Sequence, residues 1–318
     1  MEAEQTAIVP DSLDGDRLDV ALSRLSGVSR SQAKRMIETG RAGRTRADTS
    51  REDRPNTRLR SGDRLWYLVP EEATIRPYGF DLEVCYEDDR LAVINKPSGM
   101  VTHPGPGHFD QTLVSALIHR WPQVEGVGDF PRWGIVHRLD KETSGAILVA
   151  LEPRAHRRLT KAMAKRQVRR RYLTITHGGF DIPTGTIDAP IDRRRARRFV
   201  GSGGRPSVTH YRRLASWERP SCTLLEVTLD TGRTHQIRVH LQAIDRPVMG
   251  DSTYGRPGPP VVDPGRVWLH AHRLGFTHPI TGRDIEVSVD LPADLLAGLQ
   301  ALGDPDVGDR YQNHGAGD

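Results

Sequence analysis

Two cysteines in 318 residues, Cys85 and Cys222, are too few for a disulfide framework and form no C-x-x-C pair. Both read as packing residues of a protein kept in a reducing compartment. Also missing is any apolar run near the ~20 residues a membrane helix needs. The opening MEAEQTAIVPDSLDGD lacks the basic start and apolar stretch of a signal peptide, so a cytoplasmic protein with no membrane partner is expected. No glycine-rich phosphate loop is present. Thirteen histidines include His235 with His240 and His270 with His272, but they lack nearby Cys or acidic partners at zinc spacing. No metal is therefore expected, and these histidines read as hydrogen-bonders of the core or of a bound partner. Hydrophobic residues are only 36% of the chain and charged residues 27%, so a soluble, loop-rich protein with an extensive polar surface is expected.

Charge is present but unevenly placed. Residues 14–70 carry 13 Lys/Arg against 8 Asp/Glu, and residues 153–213 carry 17 against 3. The net +5 of the chain thus conceals blocks of +5 and +14 set against a remainder of −14. A solvated face can account for scattered charges, but a +14 block is organised to meet a polyanion such as RNA or DNA. Between Arg154 and Arg171 nine basic residues occur without one acid, ending next to Tyr172. Arg193-Arg194-Arg195 and Arg197-Arg198 form a second cluster before Gly201-Ser202-Gly203-Gly204, which reads as a mobile basic loop able to close on RNA.

At this length one large domain and one small one fit, because single cores stop growing near ~250–300 residues. The spacing predicts a flexible tail over 1–13 and then a short helix capped by Asp16, with Leu18, Leu22 and Leu25 on its apolar face and Gly27 after it. A second helix is predicted from a Ser29/Gln32 capping box to Gly40, carrying Met36 and Ile37 inward and Arg30, Lys34 and Arg35 outward. An Arg-rich stretch then leads through the turn Ser61-Gly62-Asp63 into the apolar strand Leu65–Val69. A polar linker near 71–77 separates this part from a region of mixed strands and helices. There Leu91–Ile94 reads as a strand, Leu225, Val227 and Leu229 alternate along another, and Ile237, Leu241 and Ile244 return at helical spacing. Without regular βαβ alternation or internal repeats, the class is α+β. From Gly303 the chain turns polar and reads as a disordered tail.

The densest chemistry lies in Gly134-Ile135-Val136-His137-Arg138-Leu139-Asp140-Lys141-Glu142-Thr143-Ser144-Gly145, wedged between apolar runs. A carboxylate at such a strand junction has burial to tune it and a rigid support to aim it. A buried Arg–Asp ion pair would give the same pattern, and the residues alone leave both readings open.

HRLDKETSG resembles the signature of the RluA-type pseudouridine synthases, which modify ribosomal and transfer RNA. The resemblance extends through Asn95-Lys96-Pro97-Ser98-Gly99 with His103-Pro104-Gly105, Arg171-Tyr172, Thr209-His210-Tyr211, and Thr231-Gly232-Arg233-Thr234-His235-Gln236-Ile237-Arg238-Val239-His240. Gly250-Asp251 with Tyr254-Gly255, and Leu269-His270-Ala271 with His278-Pro279, complete a series spanning about 82–292. It implies a catalytic domain over 73–302 built on a large mixed, mostly antiparallel sheet. Residues 14–72 are similar to the alpha-L RNA-binding module, here a small α/β unit, although Arg41–Arg46 replaces that module's usual strand and Asn-Gly turn.

Carried over by position, the resemblance makes Asp140 the group that starts the isomerisation and Arg138 the residue that fills the space of a flipped uridine. Tyr172 becomes the aromatic packing on uracil, and Arg238 the partner of Asp140. His137, Arg233, His235 and Lys96, inside the matching segments, join Arg138 as expected substrate contacts. Arg30, Lys34, Arg35, Arg169, Arg170, Arg171, Arg193, Arg194 and Arg195 are the expected RNA contacts. Extracting a base costs ~a few kcal/mol, so a plug and a stacking surface are the residue types the task needs. The glycosidic C–N bond must break, the uracil turn and C5 bond to the sugar; one carboxylate can act as base or nucleophile throughout, kept ionised by an arginine. Attack at the sugar, attack at the ring and removal of the neighbouring sugar proton stay open as routes. No cofactor and no obligate protein partner are implied, and a monomer is expected. Large-subunit ribosomal RNA is the expected substrate, with transfer RNA as the alternative. A non-catalytic RNA-binding or ribosome-assembly factor, or a uracil-releasing glycosidase, are the rival classes.

Overall fold

The computed structural model describes residues 3–28, 30–45, 53–69, 75–105, 110–194, 197–256 and 262–313. The chain forms two compact units, 1–74 and 75–318.

In the first unit β1 (Ala3–Ile8), α1 (Leu18–Ser26), α2 (Arg30–Glu38), β2 (Ala42–Arg44) and β3 (Arg64–Val69) follow in order, and the strands pair as β1-β3-β2. Leu18, Leu22, Ala33, Met36 and Ile37 line the helical faces that close over this sheet, so the predicted helical spacing produces the core. Two expectations change. The flexible start is replaced over Ala3–Ile8 by a strand in register with Arg64–Val69. The first helix is flanked by Arg17, with no side-chain cap, while Asp16 pairs with Arg24 at 3.0 Å. The Ser29 half of the expected capping box lies outside the described residues, as does Arg46.

The second unit runs β4 (Val84–Glu87), β5 (Leu91–Lys96), α3 (Leu113–Arg120), β6 (Ser144–Ala150), α4 (Pro153–Ala164), β7 (Arg169–His177), β8 (Thr184–Asp188), β9 (Ile191–Arg194) and β10 (Arg197–Val200). It continues with β11 (Val208–Trp217), β12 (Cys222–Leu229), α5 (Gln236–Ala243), β13 (Leu269–Thr277), β14 (Asp284–Ser288), α6 (Ala293–Gln300) and β15 (Val307–Gly308). Ten strands form one mixed sheet, β15-β11-β12-β7-β13-β6-β5-β4, with β14 added to β13 and β8 to β11. Among the described residues only the β13/β6 pair is parallel. The α+β class and the mostly antiparallel sheet are thus as expected. Tyr172, Leu225, Val227 and Leu229 share one apolar core with α3 and α5, whereas Leu173, Ile175 and Leu224 point to a second core with α6. Alternation along β7 and β12 therefore buries both faces of the sheet.

Residues 303–313 are not a disordered tail. Val307 and Gly308 pair with Ser216 and Ala215, and the Asn313 side chain bonds the main chain of Leu291 in both directions at 3.0 and 3.1 Å.

Candidate active site

Asp140 lies on the turn that feeds β6. Its position is set from below by the segment after β5. Thr102 Oγ1 donates to the Leu139 carbonyl (2.8 Å), the Gly99 amide to that of Lys141 (2.8 Å), and Ser98 Oγ to that of Glu142 (2.9 Å). The ammonium of Lys96 completes the clamp, donating to the carbonyls of Pro97 (2.7 Å), Met100 (3.0 Å) and Lys141 (3.4 Å). Burial pulls Lys96 down to about 7, opposed by the charge of Asp140. Lys96 is fully enclosed, so the expected substrate contact is corrected: its ammonium is used up on main-chain carbonyls under the turn. Gly145, five residues after Asp140, has φ +110°, and a Cβ there would meet the Ala271 carbonyl at 2.3 Å. The glycine of the HRLDKETSG segment thus permits β6 to pass close to β13.

Above the turn Asp140 Oδ2 stands 3.5 Å from Arg238 Nη1 and 4.0 Å from His235 Nε2. Arg238 projects from α5 and its side chain is only 5% exposed. Its closer partner is Asp251, which accepts from Nε at 2.6 Å and from Nη2 at 2.8 Å. Asp251 is itself fully buried and takes the amides of Thr253 and Tyr254, each at 2.9 Å. Burial works against both charges; the mutual bonds overcome it, raising Arg238 and lowering Asp251 from their ordinary values. The expected pairing of Arg238 with Asp140 is present, but as the second and longer of two carboxylate contacts.

A cavity of about 380 Å³ opens beside this cluster. Asp140, Arg138, Tyr172, Arg233, His235 and Arg238 all line it, which is a volume and mix of polar and apolar walls suited to a nucleoside-sized ligand. Tyr172 is 5% exposed on β7, its hydroxyl pKa raised by burial and by Asp140 despite Arg170. Arg138 is exposed. Its Nη1 donates to His103 Nε2 at 3.1 Å, while His103 Nδ1 bonds the Pro104 carbonyl at 3.0 Å. Arg233 rests on the Pro206 carbonyl at 3.4 Å. His235 precedes α5 with φ +58°, a left-handed conformation uncommon outside glycine and concentrated at functional sites. Burial lowers its pKa, and Asp140 opposes that.

His137 touches the cavity wall, but its Nε2 accepts the Leu148 amide at 2.9 Å and burial drives it down to about 3. It is a neutral ring fixed to β6.

The expected RNA contacts divide. On β7, alternation exposes Arg169, leaves Arg171 half-buried and turns Arg170 inward beside Tyr172. Arg170 is 7% exposed, lines the cavity and donates to the Leu229 carbonyl at 3.4 Å, so it is corrected from a surface contact to a wall of the site. Arg193 and Arg194 are exposed on β9; Arg195 lies outside the described residues. In the first unit Arg30 pairs with Asp19 (3.2 Å), Lys34 with Glu38 (3.7 Å), and Arg35 is exposed. His240 and His270 bond to the Ala189 carbonyl (2.9 Å) and Ser144 Oγ (2.9 Å). Asp251 and Tyr254 were quoted in the sequence without a role. Only the fold reveals that the Gly250–Gly255 turn folds back on Arg238.

The family described as RNA pseudouridylate synthase matches residues 90–243, which hold Asp140, Tyr172 and Arg238 together. A ribosomal large subunit pseudouridine synthase D of Xanthomonas campestris is 40% identical over 93% of this chain and 92% of its own. The chain belongs to the RNA pseudouridine synthase family. An uncharacterized RNA pseudouridine synthase of Bacillus subtilis is also 40% identical, over 78% of this chain and 82% of its own. Human RNA Pseudouridylate Synthase Domain Containing 1 superposes with a TM-score of 0.55 at 28% identity, covering 73% of this chain and 97% of that one. The chain is thus an RluA-type RNA pseudouridine synthase, an isomerase acting on RNA, on the sheet expected for that family.

Proposed function

We propose that this synthase converts uridines of large-subunit ribosomal RNA to pseudouridine, with Asp140 as its catalytic carboxylate. The substrate class is supported by relatives named ribosomal large subunit pseudouridine synthase D that match over nearly their full length. The single observation that carries the residue assignment is the carboxylate of Asp140 on the cavity wall, 16% exposed and 3.5 Å from a guanidinium already committed elsewhere. Arg238 lies beside that carboxylate without covering it. Arg138, exposed at the same cavity, is the residue to fill the gap left by an extracted base, and Tyr172 is the surface for the uracil. In the net reaction the C1′–N1 bond breaks and C1′–C5 forms. The proton on C5 passes to solvent and N1 gains one, so no oxidant or external group is needed. Residues Arg30, Lys34, Arg35, Arg169, Arg171, Arg193 and Arg194 are proposed to hold RNA phosphates, and the 1–74 unit to serve as an RNA-binding module.

The test is tritium release from uracil C5 of labelled ribosomal and transfer RNA, comparing the natural chain with Asp140→Asn. Release from large-subunit RNA that the substitution abolishes is the expected result. Release from transfer RNA alone overturns the substrate class, and unchanged release by Asp140→Asn overturns the assignment of the carboxylate.

A further inference from the structure

The hairpin of β9 and β10 places arginines directly opposite one another, Arg194 against Arg197 and Arg193 against Arg198. Arg194 and Arg197, both exposed, present like charges across the strand pair, an arrangement that favours a polyanion alongside. This hairpin packs on α5 and the turn after it, where Ile191, Val239 and Tyr254 form one small core. The Arg198 amide donates to Tyr254 Oη at 3.2 Å, and the Arg197 guanidinium sits 5.5 Å from the centre of the tyrosine ring. The same ring carries the Arg238 guanidinium at 5.2 Å, within the ~6 Å of a cation–π contact. It also meets the His235 ring edge-on, with centroids 5.6 Å apart.

The hydroxyl extends the connection. Because Tyr254 Oη accepts from the Arg198 amide, its own proton needs an acceptor, and among the described residues that acceptor is His235 Nδ1 at 3.0 Å. A lone pair at Nδ1 leaves the proton on Nε2, the nitrogen that faces Asp140 Oδ2 at 4.0 Å. Tyr254 is itself fixed by Asp251, which binds its amide at 2.9 Å and Arg238 with its carboxylate. Gly250, with φ +69° and the Arg266 carbonyl 2.0 Å from where a Cβ would stand, lets the turn lie this close.

We infer that Tyr254 is a positioning residue that links the arginine hairpin to the catalytic carboxylate: RNA phosphate on β9–β10 sets Tyr254, which orients His235 and Arg238 toward Asp140. The inference rests on Asp140 acting as proposed above. It gives the hairpin a role in the rate of isomerisation as well as in affinity, and it gives the Gly250–Gly255 segment the work that its sequence did not disclose.

The test is single-turnover conversion of tritiated ribosomal RNA at saturating enzyme, with RNA affinity measured separately, on the full chain. Tyr254→Phe keeps the ring on both guanidiniums and removes the hydroxyl; the rate is expected to fall ~10-fold, the scale of one lost charge-linked hydrogen bond, with affinity within ~2-fold. Tyr254→Leu is expected to fall a further ~10-fold, with the ring contacts. Arg197→Gln, on the exposed hairpin and harmless to folding, is expected to weaken binding and still turn over ~3-fold slower at saturation, as a lost cation–π contact would. This second variant decides the matter should Tyr254→Phe prove unstable on heating. Wild-type rates at saturation for Tyr254→Phe and Arg197→Gln, with only affinity changed, overturn the link. Asp140→Asn run alongside separates the two readings. If it is inactive while those rates are normal, the link alone fails; if it is active, the link falls with the assignment of Asp140.

Discussion

Two regions of the molecule bring a carboxylate to the same guanidinium, and they are built differently. The Gly250–Gly255 turn presents Asp251 with no exposed surface, two short bonds to Arg238 and two main-chain amides on the same carboxylate. The junction before β6 presents Asp140 at 3.5 Å, partly exposed, and among the described residues its second oxygen takes no hydrogen bond. A carboxylate saturated with donors is poor as a base or nucleophile, because every donor must be given up before it reacts. One held loosely beside a fixed positive charge stays available. The difference supports the proposal that Asp251 is structural while Asp140 does the chemistry, and it also explains why Arg238 does not collapse onto Asp140.

Removing each carboxylate in turn is the largest test of that division. Asp251→Asn leaves Arg238 buried with its main partner gone, and chemical unfolding is expected to show a loss of ~3–5 kcal/mol. Asp140→Asn breaks only a long, partly solvated contact and is expected to cost less than ~1 kcal/mol. The order should reverse in catalysis, where Asp140→Asn is expected to lower isomerisation by ~10²–10⁴ or more, the range of an essential acid–base group. Equal stability losses in the two variants would break the comparison.

The supports of the two carboxylates also differ in what they do with pH. Asp251 is held by a charge and by amides that do not titrate, and its pKa is lowered. Its contribution is therefore fully present above ~3.9 and lost only as pH falls below that through the folded value. Asp140 sits over Lys96, whose folded pKa is about 7 against ~10.4 in an unfolded chain. Between those values the unfolded chain holds a proton that the folded chain does not, so stability due to this group rises from pH 7 toward 10. Denaturant titrations of the natural chain and Lys96→Met should diverge across that window, and parallel curves would show that the surrounding carbonyls offset burial and hold Lys96 as an ammonium throughout.

What the sequence disclosed and what it hid follow from range. Leu18, Leu22, Met36 and Ile37 announced their helices, and Leu225, Val227 and Leu229 their strand, because local periodicity decides local structure. The strand junction that carries Asp140 is legible because its whole setting, an apolar run on each side and a glycine to pass β13, is contiguous. Ala3–Ile8 and Val307–Gly308 read as tails in the sequence because their partners, Arg64–Val69 and Ala215–Ser216, lie far along the chain. For the same reason Asp251 showed no role: its meeting with Arg238 depends on how β12, α5 and the following turn pack. Lys96 could pass for a substrate contact until the carbonyls around it were seen.

The smallest effect extends the contrast from carboxylates to arginines. Arg169 and Arg170 are neighbours in a run of nine basic residues, yet β7 sends one to solvent and the other to the cavity wall at 7% exposure. If solvent access decides which charge meets phosphate, Arg169→Gln should reduce the slope of log affinity against log salt by about 1, the release of about one counterion. Its partner Glu286, at 3.8 Å, is too distant to prevent that. Arg170→Gln should leave the slope unchanged and lower the single-turnover rate instead, since its guanidinium borders Tyr172 and the Leu229 carbonyl. Equal slopes for the two variants would mean that RNA opens β7 far enough to reach both side chains, and that the alternation seen along the strand does not govern which arginine binds it.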